Sequence, residues 1–448
     1  MPNKLYSSTD LSELQIYRIA LVRSLSDGDS LFYHDALIIT KKVGAHRGRI
    51  SAVGDASEVA IAHGLDLDTI PKLDGLLMPA FFDTHFHWVQ DDVRVMPKAS
   101  LIEWLEKYTF PEEAKYGSAE FARQKAEYFW KRILSQGTVG GLCYSSIHDI
   151  ALEEAMRLAP NDFLIGNVLM TMNCPANITQ TVEEAIDSVE RAAELYKKRY
   201  VCTPRFAPTT APEVMIASAK AARLNNCFQQ THLDENEQEV EWVMDMYKKL
   251  PGFEDVASYT EIYSRVGMLG PKSVFGHCIF VTDAEWCLLA DSGSRIASCP
   301  TSNAPLSQLG LGSGLFDFEK AESYDVLWSL ASDIGGGPFL SMFDVMRSFV
   351  DQNVAAGRPA ANYNKALHRS TFKGAEVMDI SEDRGMLSEN YYFDAIRVPM
   401  PSGVFSDGDG ESVIEAVVRS LPDREATGTL VLETFIKGES HFRKDSPV

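Results

Sequence analysis

Nowhere in the 448 residues does an apolar run approach the roughly 18 residues that a membrane-crossing helix requires. The opening "MPNKLYSSTD" lacks the charged-then-apolar pattern of a signal peptide. These absences give the expectation of a cytoplasmic protein with no membrane partner. Basic residues are scarce: 42 lysines and arginines stand against 63 acids, a formal net charge of −21. A surface of that average sign repels phosphate backbones and anionic lipid, so nucleic acid is excluded as an expected partner. Cysteine is sparse too, seven residues that are scattered and never form a C-x-x-C pair. That excludes a disulfide framework and a cysteine-built zinc site, and the thiols read as buried. There is no tandem repeat and no low-complexity tract.

What remains is a long chain with 45% hydrophobic residues, enough for one large domain and a smaller one. The first part is β-rich: "LQIYRIALV", "DALIITKK" and "GRISAVG" are short β-branched runs divided by Ser, Asp and Gly. After residue 79 short apolar runs alternate with amphipathic stretches. The runs are "GLLMPAFFDTHFH", "TVGGLCYSS", "DFLIGNVLMT", "YVCTPRF", "NCFQQTHLDEN", "SVFGHCIF", "SRIASCPTSN" and "VLWSLASDIGGG". Between them lie helical periods such as the one entered at Ser118 and stopped at Gly137, and the one entered at Thr181. The fold class expected is α/β, a (β/α)8 TIM-like barrel over residues 79–384. Residues 1–78 and 385–448, where "FDAIRVPM" and "TGTLVLETFIKG" flank a Gly-rich turn at "SDGDGES", are expected to form one small discontinuous β-sandwich domain.

Active sites of such barrels sit at the C-terminal ends of the strands, so chemistry should appear where the runs end. The first run ends in His85 and His87, which alternate with Phe86 and therefore share a face. The fifth ends in His232 and Glu235, the sixth in His277 and the eighth in Asp333, so four of the ten histidines lie at such ends. His85, His87 and His232 offer neutral nitrogen donors and Asp333 a carboxylate, a set suited to zinc, which would lower the pKa of a water toward about 7. Glu235, three residues past His232, suits a general acid/base. His277 is open to two readings, ligand of a second metal or orienter of the water. The second is preferred, because "TPRF" stands at the end of the fourth run where a bridging lysine would be needed.

"MPAFFDTHFH", "THLDEN", "GHC" and "SDIGGG" resemble the amidohydrolase superfamily. "LIEWLEKYTFPEE", "TPRFAPT", "CPTSN", "GSGLF" and the spacing His87-x-x-Gln90 are similar to the guanine deaminases within it, most clearly over residues 73–350. The resemblance implies hydrolysis of guanine to xanthine and ammonia, one zinc per chain and a homodimer. It also implies His85, His87, His232 and Asp333 as ligands, Glu235 as proton shuttle and His277 as the residue that orients water and substrate. Gln90, Arg205 and Phe206 correspond to residues that hold the purine, an amide and a guanidinium for its polar edge and a ring for its face. Deaminases built on H-x-E…P-C-x-x-C are excluded, since neither element occurs. Several positions depart from the family: Ala80 follows Pro79 in place of Gly, Ser332 replaces Thr, Asn167 and Thr171 replace Lys and Asp, and the loop around 304–312 is long. These leave a pterin or another aminopurine as an alternative substrate, and a metal-free binding or scaffolding relative as an alternative of a different class.

Overall fold

The computed structural model describes residues 11–421 and 430–444. The opening segment judged for a signal peptide and the first residues of "TGTLVLETFIKG" lie outside them. The chain forms two compact units: Met1–Phe81, Leu134–Val139 and Asn362–Val448 make the first, Phe82–Ile133 and Gly140–Ala361 the second.

The first unit begins with strands β1 (Leu14–Ser24), β2 (Ser30–Lys41), β3 (Ile50–Asp55) and β4 (Lys72–Pro79). β1 pairs antiparallel with β2 and parallel with β4. The run read as one strand, "GLLMPAFFDTHFH", is two: Ala80 separates β4 from β5 (Phe81–His87), the first strand of a different sheet.

That sheet continues through β6 (Thr138–Ser145), β7 (Phe163–Leu169), β8 (Val201–Pro204), β9 (Phe228–Leu233), β10 (Ser273–His277), β11 (Arg295–Ser298) and β12 (Trp328–Leu330). Its strand order follows the chain, and consecutive pairs from β6 onward are parallel. Closure comes from the segment after β12, where the Asp333 N–H donates to the His85 carbonyl at 2.8 Å and the Thr84 and Ser329 hydroxyls lie 2.7 Å apart. This is the expected (β/α)8 barrel. β5, β6 and β9 are buried at every position, so none shows the in-and-out alternation of a half-exposed strand. Helices Ala119–Ser135 and Val182–Tyr196 start after the residues that mark them in the sequence. Ser118 Oγ accepts the Phe121 N–H at 3.4 Å, and Thr181 forms a capping box with Glu184.

The chain then returns to the first sheet with β13 (Ala395–Val398), β14 (Glu433–Ile436) and β15 (Glu439–Arg443), in the order β15-β14-β13-β4-β1-β2-β3. The expected sandwich takes the form of one continuous sheet whose inward side chains, among them Ile19, Ile38, Ile50, Leu77, Ala395 and Phe435, pack in a single cluster. Residues 362–384, assigned above to the barrel, fall in this unit, where Asn364 hydrogen-bonds Ser30. The segment read as a Gly-rich turn leads directly into helix Gly410–Arg419, whose first turn is capped by Asp409.

Candidate active site

β5 ends with His85 and His87 on one face, 1% and 2% exposed. The end of β9 adds His232, and the loop after β12 adds Asp333. Each of these four residues offers one ligand atom, and all four atoms lie within 4.8 Å of one another. The Nε2 atoms of His87 and His232 are 3.2 Å apart, and Asp333 Oδ1 lies 3.3 Å from His85 Nε2 and 3.5 Å from His87 Nε2. Ligand atoms bonded to one ion at about 2.0–2.2 Å lie roughly 3–4 Å apart, and these three separations fall in that range. Orientation agrees. His232 Nδ1 donates to the Arg205 carbonyl at 2.8 Å, which fixes the tautomer and leaves the Nε2 lone pair facing the other ligands. His85 Nε2 is buried with no hydrogen-bond partner among the described residues, as an atom reserved for an ion would be.

The protonation states suit this use. Burial pushes His87 and His232 well below the ordinary imidazole value and lowers His277 to about 4, so the rings are neutral donors at pH 7. Burial alone would raise Asp333, but the adjacent His85 and the surrounding histidines outweigh it and hold the carboxyl down. Glu235 goes the other way. Burial, then the charges of Asp333 and Glu239, push it well above the carboxylate range. Two neighbouring acids with opposed shifts divide into an anion and a proton carrier.

His277 stands beside both. Its Nε2 is 3.5 Å from Glu235 Oε2 and 3.9 Å from Asp333 Oδ2, while Nδ1 faces Asn303 Nδ2 at 3.1 Å. With Asn303 as donor, Nε2 keeps the proton and points it at the two acids. His277 (φ 72°), Asp333 (φ 47°) and Asp234 (φ 50°) adopt left-handed backbone at the strand ends, where such strain commonly serves a site.

A pocket opens over this centre, lined by Gln90, Arg205, Phe206, Glu235, Leu105 and Leu311 among others. Phe206 presents its ring edge-on to His232 at 6.1 Å between centroids. Arg205 is 3% exposed and belongs to a buried ion pair, with Nη1 2.8 Å from each oxygen of Glu113. Gln90 Nε2 donates to the same carboxylate at 2.7 Å.

Glu113, Asn303 and Asp83 are the residues that sequence reasoning missed. Glu113 and Glu112 both sit in the first turn of a short helix, where acids normally complement the dipole, and nothing local tells them apart. Asp83 accepts the Ser332 N–H at 3.0 Å and the Ser332 hydroxyl, so the serine in place of threonine keeps its task. Asn167 donates to Ser188 and accepts from Tyr200, and Thr171 accepts the Ala211 N–H. Both act away from the pocket lining, so these departures do not alter the substrate's surroundings. The long rim loop is tied down, its Leu309 carbonyl accepting from Lys98 Nζ at 2.8 Å, and it contributes Leu311 to the wall.

Comparison with known proteins places these features in context. Residues 76–439 match the amidohydrolase family. The guanine deaminase of Escherichia coli K12 is 32% identical over 318 residues, 68% of this chain and 69% of the relative. The solved structure of the E. coli guanine deaminase superposes with a TM-score of 0.83 at 26% identity, covering 96% of this chain and 100% of that one. A guanine deaminase from C. acetobutylicum with guanine bound in its active site gives 0.80 at 24% identity, with the same coverage.

Proposed function

The chain belongs to the amidohydrolase family and, within it, to the guanine deaminases, and from that premise we propose that it hydrolyses guanine to xanthine and ammonia on a single zinc ion. The observation that carries the reading is the convergence of His85, His87, His232 and Asp333 beside Glu235, whose affinity for a proton burial raises, under a pocket that offers Gln90, Arg205 and Phe206. Three imidazoles and a carboxylate are a donor set that suits zinc. When bound, the ion would supply a water of lowered pKa as nucleophile at neutral pH.

The residues divide the remaining work. Gln90 and Arg205 read the carbonyl and ring nitrogens of guanine, Phe206 covers the base, and together they set the amino-bearing carbon against the attacking oxygen. Glu235 takes one proton from the water and delivers it to the ring nitrogen next to that carbon, then takes the second from the added hydroxyl and passes it to the amino group, so that the C–N bond breaks to release ammonia as the C=O bond forms. His277, fixed through Nδ1 by Asn303, directs its Nε2 proton at the oxygen as charge develops there. The new carbonyl is that of xanthine, so guanine plus water balances xanthine plus ammonia. The reading extends to a cytoplasmic homodimer, as the family likeness implies, and the dimer is checked by sedimentation.

The test is ammonia release from zinc-loaded protein offered guanine, beside a panel of other aminopurines and pterins. Release from guanine that falls about 10²–10⁴-fold in Glu235→Gln, with zinc still bound, is the expected outcome. Silence on guanine with turnover of a pterin would move the substrate, and silence throughout would overturn the deaminase reading.

A further inference from the structure

Glu113 is 1% exposed and sits behind the pocket, where it accepts three hydrogen bonds: two from Arg205 Nη1 and one from Gln90 Nε2. It does not line the cavity itself, whereas both of its donors do. An amide side chain has one donor end and one acceptor end. One Nε2 N–H goes to Glu113, which fixes the direction of the Gln90 amide and turns its Oε1 away from the carboxylate, to the side of Gly335 in the glycine-rich loop after Asp333. A guanidinium carries five N–H donors and no acceptor. Nη1 is held by Glu113, and the group lies over the Phe110 ring at 5.4 Å, so its plane is set by the same helix that supplies the carboxylate. Nε and Nη2 make no bond to Glu113.

We propose that Glu113 is a positioning residue that fixes the polarity of the pocket, an acceptor at Gln90 and donors at Arg205, so that it reads a lactam edge: a ring carbonyl beside a ring N–H. The inference rests on the purine reading above. Guanine carries that edge. 2,6-Diaminopurine keeps the amino group to be removed but reverses the edge, with an amino group where the carbonyl stood and a bare ring nitrogen where the N–H stood. Against this pocket it would set donor to donor and acceptor to acceptor, leaving buried groups unpaired. Removing the charge from Glu113 releases the constraint, because an amide there can donate to Gln90 and let its side chain turn over.

The experiment compares guanine with 2,6-diaminopurine on the zinc-loaded wild type, Glu113→Gln and Glu113→Asp, by steady-state kinetics and by calorimetric binding. In Glu113→Gln the guanine KM is expected to rise about tenfold or more, with kcat changing less. The guanine-to-diaminopurine ratio of kcat/KM falls by about tenfold with zinc content as in the wild type, while Tm falls because the buried Arg205 loses its counter-charge. Glu113→Asp keeps a carboxylate and preserves the ratio at lower affinity. Gln90→Met removes the acceptor directly and lowers the ratio without depending on how the Glu113 variants fold. An equal loss on both purines, with the ratio unchanged, would overturn the proposal. A wild type that binds guanine and releases no ammonia would instead overturn the deaminase reading, while the binding ratio still decides the role of Glu113.

Discussion

His232 has two ring nitrogens with different tasks. The Nδ1–H donates a hydrogen bond to the Arg205 carbonyl, which keeps the proton on Nδ1 and leaves Nε2 free to face His87 and Asp333. The same division recurs at Asp333, whose position depends on its neighbour Ser332. The Ser332 hydroxyl and N–H both donate to Asp83, a fully buried carboxyl that burial raises to about 6 even with these bonds in place. Ser332→Ala would remove one of these donors and leave a buried oxygen unpaired, at a cost of about 1–3 kcal/mol. Because the bond anchors the loop that carries Asp333, zinc affinity is expected to fall by about tenfold or more, the effect usual for partners one step from a metal ligand. Urea unfolding measures the first effect and chelator competition the second. A variant with wild-type affinity would show that Asp83 serves the fold alone.

At the scale of elements, β10 shows how closely the scaffold approaches the site. Gly276 stands opposite His232 in the register, and a Cβ built there would lie 2.5 Å from His85 Cε1 and 2.7 Å from Nδ1. Gly276→Ala therefore requires the His85 ring to move, although the backbone φ does not itself demand glycine. The expected outcome is zinc content well below one per chain with an unchanged far-UV spectrum. Full zinc occupancy in G276A would mean that the ring has room to retreat. The sequence carried much of this architecture, for a physical reason: strands buried on both faces are short and largely apolar, and chemistry-bearing residues gather at their C-terminal ends, His85 and His87 on β5, His232 on β9, His277 on β10 and Asp333 just past β12. Where local signals were weak, the sequence misled. Ala80 gives no break, yet the chain changes sheet there, and the Gly and Asp residues before helix Gly410–Arg419 look like a turn because a capped N-terminus uses the same residue types. Glu113 was hidden by its setting. A π-helical turn, Leu105–Thr109, precedes its helix, and Pro111, lacking an N–H, cannot continue the ordinary ladder. The carboxylate that this irregular turn aims at Arg205 carries no periodic signature.

Considered as a whole molecule, the protein holds neutral histidine in both of its compact units. In the barrel unit these are His87, His232 and His277, of which the first two belong to the ligand set that a bound ion would protect from protonation. In the sheet unit His368 has no such ion. It packs against Phe372 at 5.3 Å between centroids, its Nδ1 is buried without a hydrogen-bond partner among the described residues, and burial, aided by Arg369 and Lys373, lowers it to about 4. Its folded pKa thus lies below the unfolded value of about 6.5, so on acidification the unfolded chain binds a proton that the folded chain refuses. Stability from this group is complete above about pH 6.5 and is lost as pH falls toward 4. At 1.36 kcal/mol per unit, the loss between pH 7 and pH 5 comes to about 2 kcal/mol. His368→Gln removes the titration and keeps a polar side chain, so urea unfolding of the zinc-loaded variant should show a shallower decline over that interval, whatever its stability at pH 7. Parallel declines in variant and wild type would assign the acid sensitivity to groups other than His368.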